Sequence, residues 1–330
     1  MKPGIYLVHK EVGGSSFDVV RTFKHEAYEA GLKKYALGHG GTLDPFADGL
    51  LLVLAGQATR LMELMHPLPK TYEAEVVWGQ ETDTCDHLGL VVMNEGDRPL
   101  AKLALRPPRA PHDVSGPSPD TTSGMEGSAE TLTPEALDTA LTPFLGWQDQ
   151  VPPATSAKKI DGEAAYKKAH RGEIFELPPS RVFLHSAQWI SHDLPRSSML
   201  RITCRGGFYV RSLARDLGRA LGCGAHLRIL HRTAIGPWGD PPAGQRTLLQ
   251  GEALIPWCAT RRLDDAEADH LLHGRPIPLG ELEGAVWSLP EGFPDPESPI
   301  RGLHGDRLVA LLRKQEDGKL WTVANLRGGI

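Results

Sequence analysis

Residues 38–61 read "GHGGTLDPFADGLLLVLAGQATRL". The stretch opens with Gly38, Gly40 and Gly41 around His39, then runs through Leu43-Asp44-Pro45. A residue before proline is pushed out of helical conformation, so the opening is a loop. The glycines give it freedom for a tight path. A P-loop needs a Lys-Ser/Thr pair after its glycines, and a dinucleotide loop needs G-x-G-x-x-G opening a helix. Neither pattern is present. Two readings remain at this point. Asp44 is a turn residue, as Asp-Pro usually is, or it is an acid displayed beside the polar ring of His39. Asp48 reads as a turn residue. The run "GLLLVLAG" is short and unbroken, which predicts a buried strand. "QATRLMELMH" predicts a short helix.

Upstream, "GIYLVH" at residues 4–9 predicts a strand. "SSFDVVRTFKHEAYEAG" predicts a helix capped by Ser15 or Ser16 and ended by Gly31. Downstream, "KTYEAEVVWGQETDTCDHLGLVV" reads as two strands with a polar hairpin, and Tyr72, Ala74, Val76 and Trp78 alternate onto one face. Residues 94–132 are rich in Pro, Gly, Ser and Thr without periodicity, which predicts an inserted surface loop. A helix resumes at "TLTPEALDTALTPFLG", with Thr133 as cap and Pro134 first in the helix. "VPPATSAKKIDGEAAYKKAHRGE" gives a loop, a tight Asp161-Gly162 turn and a helix. Strands follow in "FELPPSRVFLHSAQWISHD" and "SSMLRITCRGG". "FYVRSLARDLGRALGCG" is amphipathic, with Val210, Leu213, Ala214, Leu217 and Leu221 as its apolar stripe. After a compositional shift near 241–262, a helix capped by Asp264 and a hairpin turning at Asp317-Gly318 suggest a small, mostly-β domain at 259–330.

The chain has 330 residues and a net charge of −5. That length fits two domains, and that charge argues against bulk binding of nucleic acid. Charge is local, however. Arg201, Arg205, Arg211, Arg215, Arg219, Arg228 and Arg232 fall within one stretch that holds a single acid, Asp216. Such a face either steers a polyanion or forms a salt-bridged helix. No apolar run approaches a membrane span, and the start lacks a signal core, so a cytoplasmic protein is expected. Cys85, Cys204, Cys223 and Cys258 are scattered and form no C-x-x-C pair. They read as thiols packed like small apolar groups.

Other candidates carry plain alternatives. Tyr72 on an alternating strand is ordinarily a core aromatic. His226 reads as structural. In "TDTCDH", Asp83, Cys85, Asp86 and His87 have the chemistry of metal ligands, but hairpin polarity explains them better. Arg211, near the start of its helix, opposes the helix dipole. A carboxylate from elsewhere in the chain would offset that cost.

Four blocks, in order, resemble the bacterial tRNA pseudouridine-55 synthase (TruB-type) family: "GHGGTLDPFADGLLLVLAGQATRL", "KTYEAEVVWGQETDTCDHLGLVV", "VPPATSAKKIDGEAAYKKAHRGE" and "CRGGFYVRSLARDLGRALGCGAHLRILHRTAIG". The opening "YLVHKEVGGSSFDVV" is similar to the family's first block. The resemblance implies an α+β catalytic domain at 1–258, with a central mixed or antiparallel sheet and flanking helices. It also implies a PUA-like RNA-binding domain at 259–330. Residue by residue, it makes Asp44 the catalytic aspartate and His39 the histidine that helps displace the target nucleotide. Tyr72 becomes the tyrosine that packs on the target base, and Arg211 the arginine that pairs with the catalytic carboxylate. Two departures stand out. His39-Gly40-Gly41 replaces His-Thr-Gly, and the extra glycine is expected to loosen the loop. His9-Lys10-Glu11 replaces Asp-Lys-Pro, which weakens any role for that block.

The implied reaction is isomerisation of uridine 55 in the T-arm loop of tRNA, with base flipping. It needs no cofactor and no metal. The implied partner is the tRNA T-arm, with no protein partner, no membrane and a monomeric enzyme. The arginine-rich block would supply phosphate contacts. Two competing readings are an RNA-binding or tRNA-folding module with secondary catalysis and a guide-RNA-dependent pseudouridine synthase.

Overall fold

The computed structural model describes residues 1–94, 132–156, 158–160, 162–171, 173, 175–295 and 298–330. The inserted loop expected at 94–132 lies almost wholly outside the described residues, as does Asp161 of the expected turn.

The chain opens with β1 (Gly4–Lys10) and α1 (Ser16–Glu29). Ser15 caps α1 and Asp18 completes a reciprocal capping box, which satisfies two backbone donors at the helix start. Then come β2 (Leu37–His39), β3 (Asp48–Ala55), a 3₁₀ turn and α2 (Met62–Met65). Next are β4 (Lys70–Trp78), β5 (Gln80–Thr82), β6 (Val91–Asn94), α3 (Pro134–Leu141), β7 (Gly146–Gln150), β8 (Lys159–Ile160), β9 (Glu163–Ala164) and α4 (Ala165–His170). The second half holds β10 (Ser180–Asp193), β11 (Ser197–Cys204), α5 (Val210–Leu221), β12 (Ala225–Ile235), β13 (Trp238–Gly239) and β14 (Arg246–Leu249). It ends with β15 (Thr260–Arg262), α6 (Asp265–Leu272), β16 (Ile277–Pro278), β17 (Ile300–His304), β18 (Arg307–Lys314) and β19 (Lys319–Asn325).

The fold is α+β. Its large mixed sheet has the hydrogen-bonded order β14-β1-β3-β12-β4-β11-β10-β7, with β2 on β3 and β13 on β12. A separate five-stranded sheet has the order β15-β17-β18-β19-β16. By packing, the chain divides into two compact units.

The first unit comprises residues 1–72, 203–206 and 231–330. β1 pairs antiparallel with β3 over its whole length, and β3 pairs in parallel with β12 at Asp48 and Gly49. The run "GLLLVLA" is buried throughout because both faces of β3 are covered, as an unbroken apolar strand requires. Ile5, Leu50, Leu52 and Leu54 share a core with Trp238, Trp257 and Ile330. The five-stranded sheet has its own cluster, with Leu263, Leu271, Ile277 and Leu312. Asp264 caps α6 in a second capping box with Glu267. The β18–β19 hairpin turns at Asp317-Gly318, and Gly318 has φ +74°.

The second unit comprises residues 73–202 and 207–230. Ala74, Val76 and Trp78 of β4 are buried, as the alternation requires. The stripe of α5 is buried at Val210, Leu213, Ala214, Leu217 and Leu221. Gly222 closes that helix in the left-handed conformation, φ 69°. All four cysteines of the chain are buried thiols.

Candidate active site

In the first unit, the Asp44 loop hangs between β2 and β3 and is gripped through its backbone. Ser16, the first residue of α1, uses one hydroxyl for both polar atoms of Leu43. Its Oγ accepts from Leu43 N at 2.8 Å and donates to Leu43 O at 3.2 Å. Gly13 N donates to Pro45 O at 2.7 Å, and Ala47 N closes the turn on Asp44 O at 3.1 Å. Lys10 is only 1 % exposed. Its ammonium donates to Ala47 O at 2.6 Å, Glu11 O at 3.0 Å and Pro45 O at 3.5 Å.

Arg232 grips the other side. It is also 1 % exposed. Nε donates to Leu50 O at 2.7 Å, Nη2 to Gly41 O at 3.2 Å and Nη1 to Thr42 O at 3.4 Å. A buried cation without such acceptors would be prohibitively costly. Here the carbonyls of the loop and of β3 solvate both ammonium and guanidinium. Gly49 makes the close approach of β3 and β12 feasible. It has φ +103°, and a Cβ there would fall 2.4 Å from Arg232 O.

Tyr72 is buried, and the guanidinium carbon of Arg232 lies 6.0 Å from its ring centroid. Burial pushes the phenol up from its ordinary value, and Arg232 pulls it part of the way back. Lys70, two residues earlier, points its amine at Met65 O, His66 O and Leu68 O, 3.0–3.2 Å away. Burial, with Arg232 adding repulsion, lowers that amine to about 7. His39 ends β2, opposite Val53. Burial, then the charges of Arg232 and His66, lower its imidazole. Its buried Nδ1 has no hydrogen-bond partner among the described residues.

The unit thus holds three of the sequence-predicted residues: Asp44, His39 and Tyr72. Arg211 belongs to the second unit, where its guanidinium is fixed in a polar cage. Nη1 donates to Asp86 Oδ2 at 3.1 Å, Thr84 O at 3.0 Å and Thr155 Oγ1 at 2.8 Å. Asp86 supplies a carboxylate that offsets the helix dipole at Arg211. Asp86 therefore serves an ion pair. Among the described residues, no group of three or more His, Cys, Asp and Glu is arranged to hold a metal.

Several sequence readings need correction. Gly40 does not loosen its loop. It is buried, its N–H donates to Leu52 O at 2.9 Å, and a Cβ would meet Leu52 Cβ and Met65 Cβ at 3.2 Å. The block His9-Lys10-Glu11 has a role, because Lys10 is a main anchor of the Asp44 loop. Asp48 is more than a turn residue, since it opens β3 and meets His231 Nδ1 at 3.0 Å. The arginine-rich block is largely committed to carboxylates. Arg201 pairs with Glu73, Arg211 with Asp86, Arg215 with Asp216, Arg219 with Glu81 and Arg228 with Glu75. Carboxylate partners account for these arginines within the protein, while Arg201, Arg219 and Arg228 keep more than half of their side chains exposed. Lys10, Ser16, Lys70 and Arg232 went unnoticed as site residues. For the three cations a signal was available: long cations inside or at the ends of apolar strands must find buried acceptors.

Residues 30–106 and 115–210 match the TruB family pseudouridylate synthase N-terminal domain, and residues 211–271 match the tRNA pseudouridylate synthase B C-terminal domain. The chain is 33 % identical to tRNA pseudouridine synthase B of Cupriavidus metallidurans, covering 95 % of this chain and 91 % of that one. It is 32 % identical to tRNA pseudouridine synthase B of Thermobifida fusca, covering 91 % and 98 %. Among solved structures, the fold is similar to a chain of a Cbf5-Nop10-Gar1 complex. The TM-score is 0.59 at 20 % identity, over 98 % of this chain and 83 % of that one. With the family match spanning most of the sequence, the chain belongs to the TruB family of tRNA pseudouridine synthases, which are isomerases.

Proposed function

We propose that the enzyme isomerises uridine 55 in the T-arm loop of tRNA, with Asp44 as its catalytic carboxylate. The observation that carries this reading is the grip on the Asp44 loop. Two buried cations, Lys10 and Arg232, hold its backbone, and the second also lies against the ring of Tyr72. Such rigidity is what a reacting group requires.

The reaction breaks the N1–C1′ bond of uridine and forms a C5–C1′ bond. The hydrogen on C5 leaves to solvent, and N1 gains a proton, so atoms balance without a co-reactant. The base must first leave its stack. His39 occupies the space or makes the hydrogen bonds that help the nucleotide out. Tyr72 stacks on the flipped uracil, as aromatic side chains do with unpaired bases. Asp44 acts as the ionised carboxylate at C1′ or at the sugar. The positive charge of Lys10, to which it is coupled, favours that ionised form. Arg211 takes the family role of the arginine that pairs with this carboxylate. Its support is the resemblance and the rigid cage of Asp86, Thr84 and Thr155 around the guanidinium.

In this reading, residues 1–258 carry the chemistry and 259–330 form a PUA-like module for RNA. The enzyme acts on tRNA as a cytoplasmic monomer without a protein partner. Among the described residues, no helix is long and apolar enough to cross a membrane. The test is to incubate the purified chain with unmodified tRNA and with an isolated T-arm stem-loop, then map pseudouridine. Formation at uridine 55 in both is expected. Modification elsewhere with uridine 55 untouched would overturn the assignment, and a requirement for added guide RNA would overturn the stand-alone reading.

A further inference from the structure

Helix α1, in the first unit, carries two stripes one residue out of step. Ser16, Val20, Phe23 and Ala27 face the core and are buried. Phe17, Arg21, Lys24 and Tyr28 repeat that spacing on the face turned about 100° away, and all four are exposed. Phe17 keeps 52 % of its surface in solvent and Tyr28 keeps 64 %. A solvated helix face ordinarily carries polar groups. This one has a ring at each end and cations between them. The Lys24 ammonium stands 4.9 Å from the Phe17 ring centroid, and the Arg21 guanidinium carbon 5.8 Å. Both distances are in the cation–π range. The acids of α1 are Asp18, Glu26 and Glu29, and they face Arg21, Arg246 and His25. Lys24 is therefore unmatched by an acid of its own helix. Lys33 and Lys34, just beyond the helix, are exposed cations too.

The stripe starts at the candidate active site. Ser16, the residue before Phe17, holds Leu43 through its hydroxyl, and Gly13 N holds Pro45 O. From there the stripe runs about 16 Å along the helix to Tyr28. A fitting occupant has planar faces for the rings and negative charge for the cations. Unpaired RNA has both, since bases stack on aromatic side chains and phosphates meet Lys and Arg. A second copy of this chain fits less well. A two-fold interface pairs each residue with its symmetry counterpart, so antiparallel α1 helices centred on the stripe would set Arg21 of one copy against Lys24 of the other.

We propose that the exposed stripe of Phe17, Arg21, Lys24 and Tyr28 is a docking surface for the tRNA strand that flanks the nucleotide held at Asp44. Its rings stack on unpaired bases and its cations meet the phosphates between them. The inference rests on the Asp44 loop being the site of isomerisation on tRNA.

The test is equilibrium binding of unmodified tRNA to the full chain between about 50 and 200 mM salt. Phe17→Ala raises Kd at least about fivefold, and Phe17→Trp keeps the wild-type affinity because stacking needs only a ring. Lys24→Gln weakens binding and makes the slope of log Kd against log salt shallower by about 0.7–0.9, the signature of one lost phosphate contact. A purely structural side chain would not move that slope. An affinity of Phe17→Ala within about twofold of wild type, or an unchanged salt slope in Lys24→Gln, would overturn the proposal. A wild-type dimer in sedimentation that Phe17→Ala dissociates would overturn it in favour of a second copy of the chain. Failure of the Asp44 reading is distinguishable, because Asp44→Asn would then keep its turnover whatever affinities the α1 variants have.

Discussion

The guanidinium of Arg232 lies 6.0 Å from the ring centroid of Tyr72 while it donates to the carbonyls of Gly41, Thr42 and Leu50. One buried cation thus sets both the aromatic platform and the backbone that presents Asp44. The charge is solvated by carbonyls, and among the described residues no carboxylate pairs with it.

Arg232→Gln removes this device. Each buried carbonyl left without a donor costs about 1–3 kcal/mol. Urea unfolding should show a loss of at least about 3 kcal/mol, with turnover reduced further in whatever remains folded. Arg232→Lys keeps the charge but not the planar fork, so it should fall between the two. Equal stability of Arg232→Gln and wild type would contradict the role.

Ser16 makes the smaller anchor at the other end of the loop. In Ser16→Ala, both polar atoms of Leu43 lose their shared partner. A stability loss of at least about 2 kcal/mol is expected. The kinetic signature is a lower kcat with KM little changed, since the loop positions a reacting group and not the RNA. A rise in KM alone would say that the loop serves binding.

Lys70 gives stability a pH dependence whose sign follows from its lowered amine. Its folded value is about 7 against 10.5 for the unperturbed group. Below the lower value the amine is charged in both states, and the cost of burying it is constant. Between the two values the unfolded chain holds the proton and the folded protein does not, so stability rises with pH. Relative to Lys70→Met, wild type should gain up to about 1.4 kcal/mol per pH unit in that window. Denaturant titrations at neutral and alkaline pH check this, and parallel curves for the two proteins would refute it.

Asp86 is expected to matter through Arg211. The pair is buried, so Asp86→Ala removes one charged partner of a buried guanidinium, and a stability loss of about 1–3 kcal/mol is expected. Arg211→Lys should leave more stability but lose most turnover, because a single ammonium cannot replace a bidentate fork. Full activity in Arg211→Lys would remove Arg211 from the proposed machinery.

Much of the fold was legible because local signals agreed. Ser15 and Asp18, Thr133 and Pro134, and Asp264 and Glu267 mark three helix starts by capping chemistry. The alternation of Ala74, Val76 and Trp78 matches their burial. What the sequence hid was nonlocal. The parallel pairing of β3 with β12 joins Asp48 to His231 across a long separation, and no turn signal announces it. The same pairing delivers Arg232 to the Asp44 loop. His39, Asp44 and Tyr72 were singled out through the resemblance, whereas the loop carbonyls held by Lys10 and Arg232 lie far from them in sequence. Gly40 misled for a related reason: its significance is the space taken by Leu52 and Met65, which only packing reveals.

The central claim is that Asp44 carries the chemistry, and its most direct test is tritium release from tRNA whose uridines are labelled at C5. Forming the C5–C1′ bond expels that label. Wild type should release it with protein alone, and Asp44→Asn should release none while still binding tRNA and unfolding at the wild-type denaturant midpoint. Release at the wild-type rate by a folded Asp44→Asn would contradict the account.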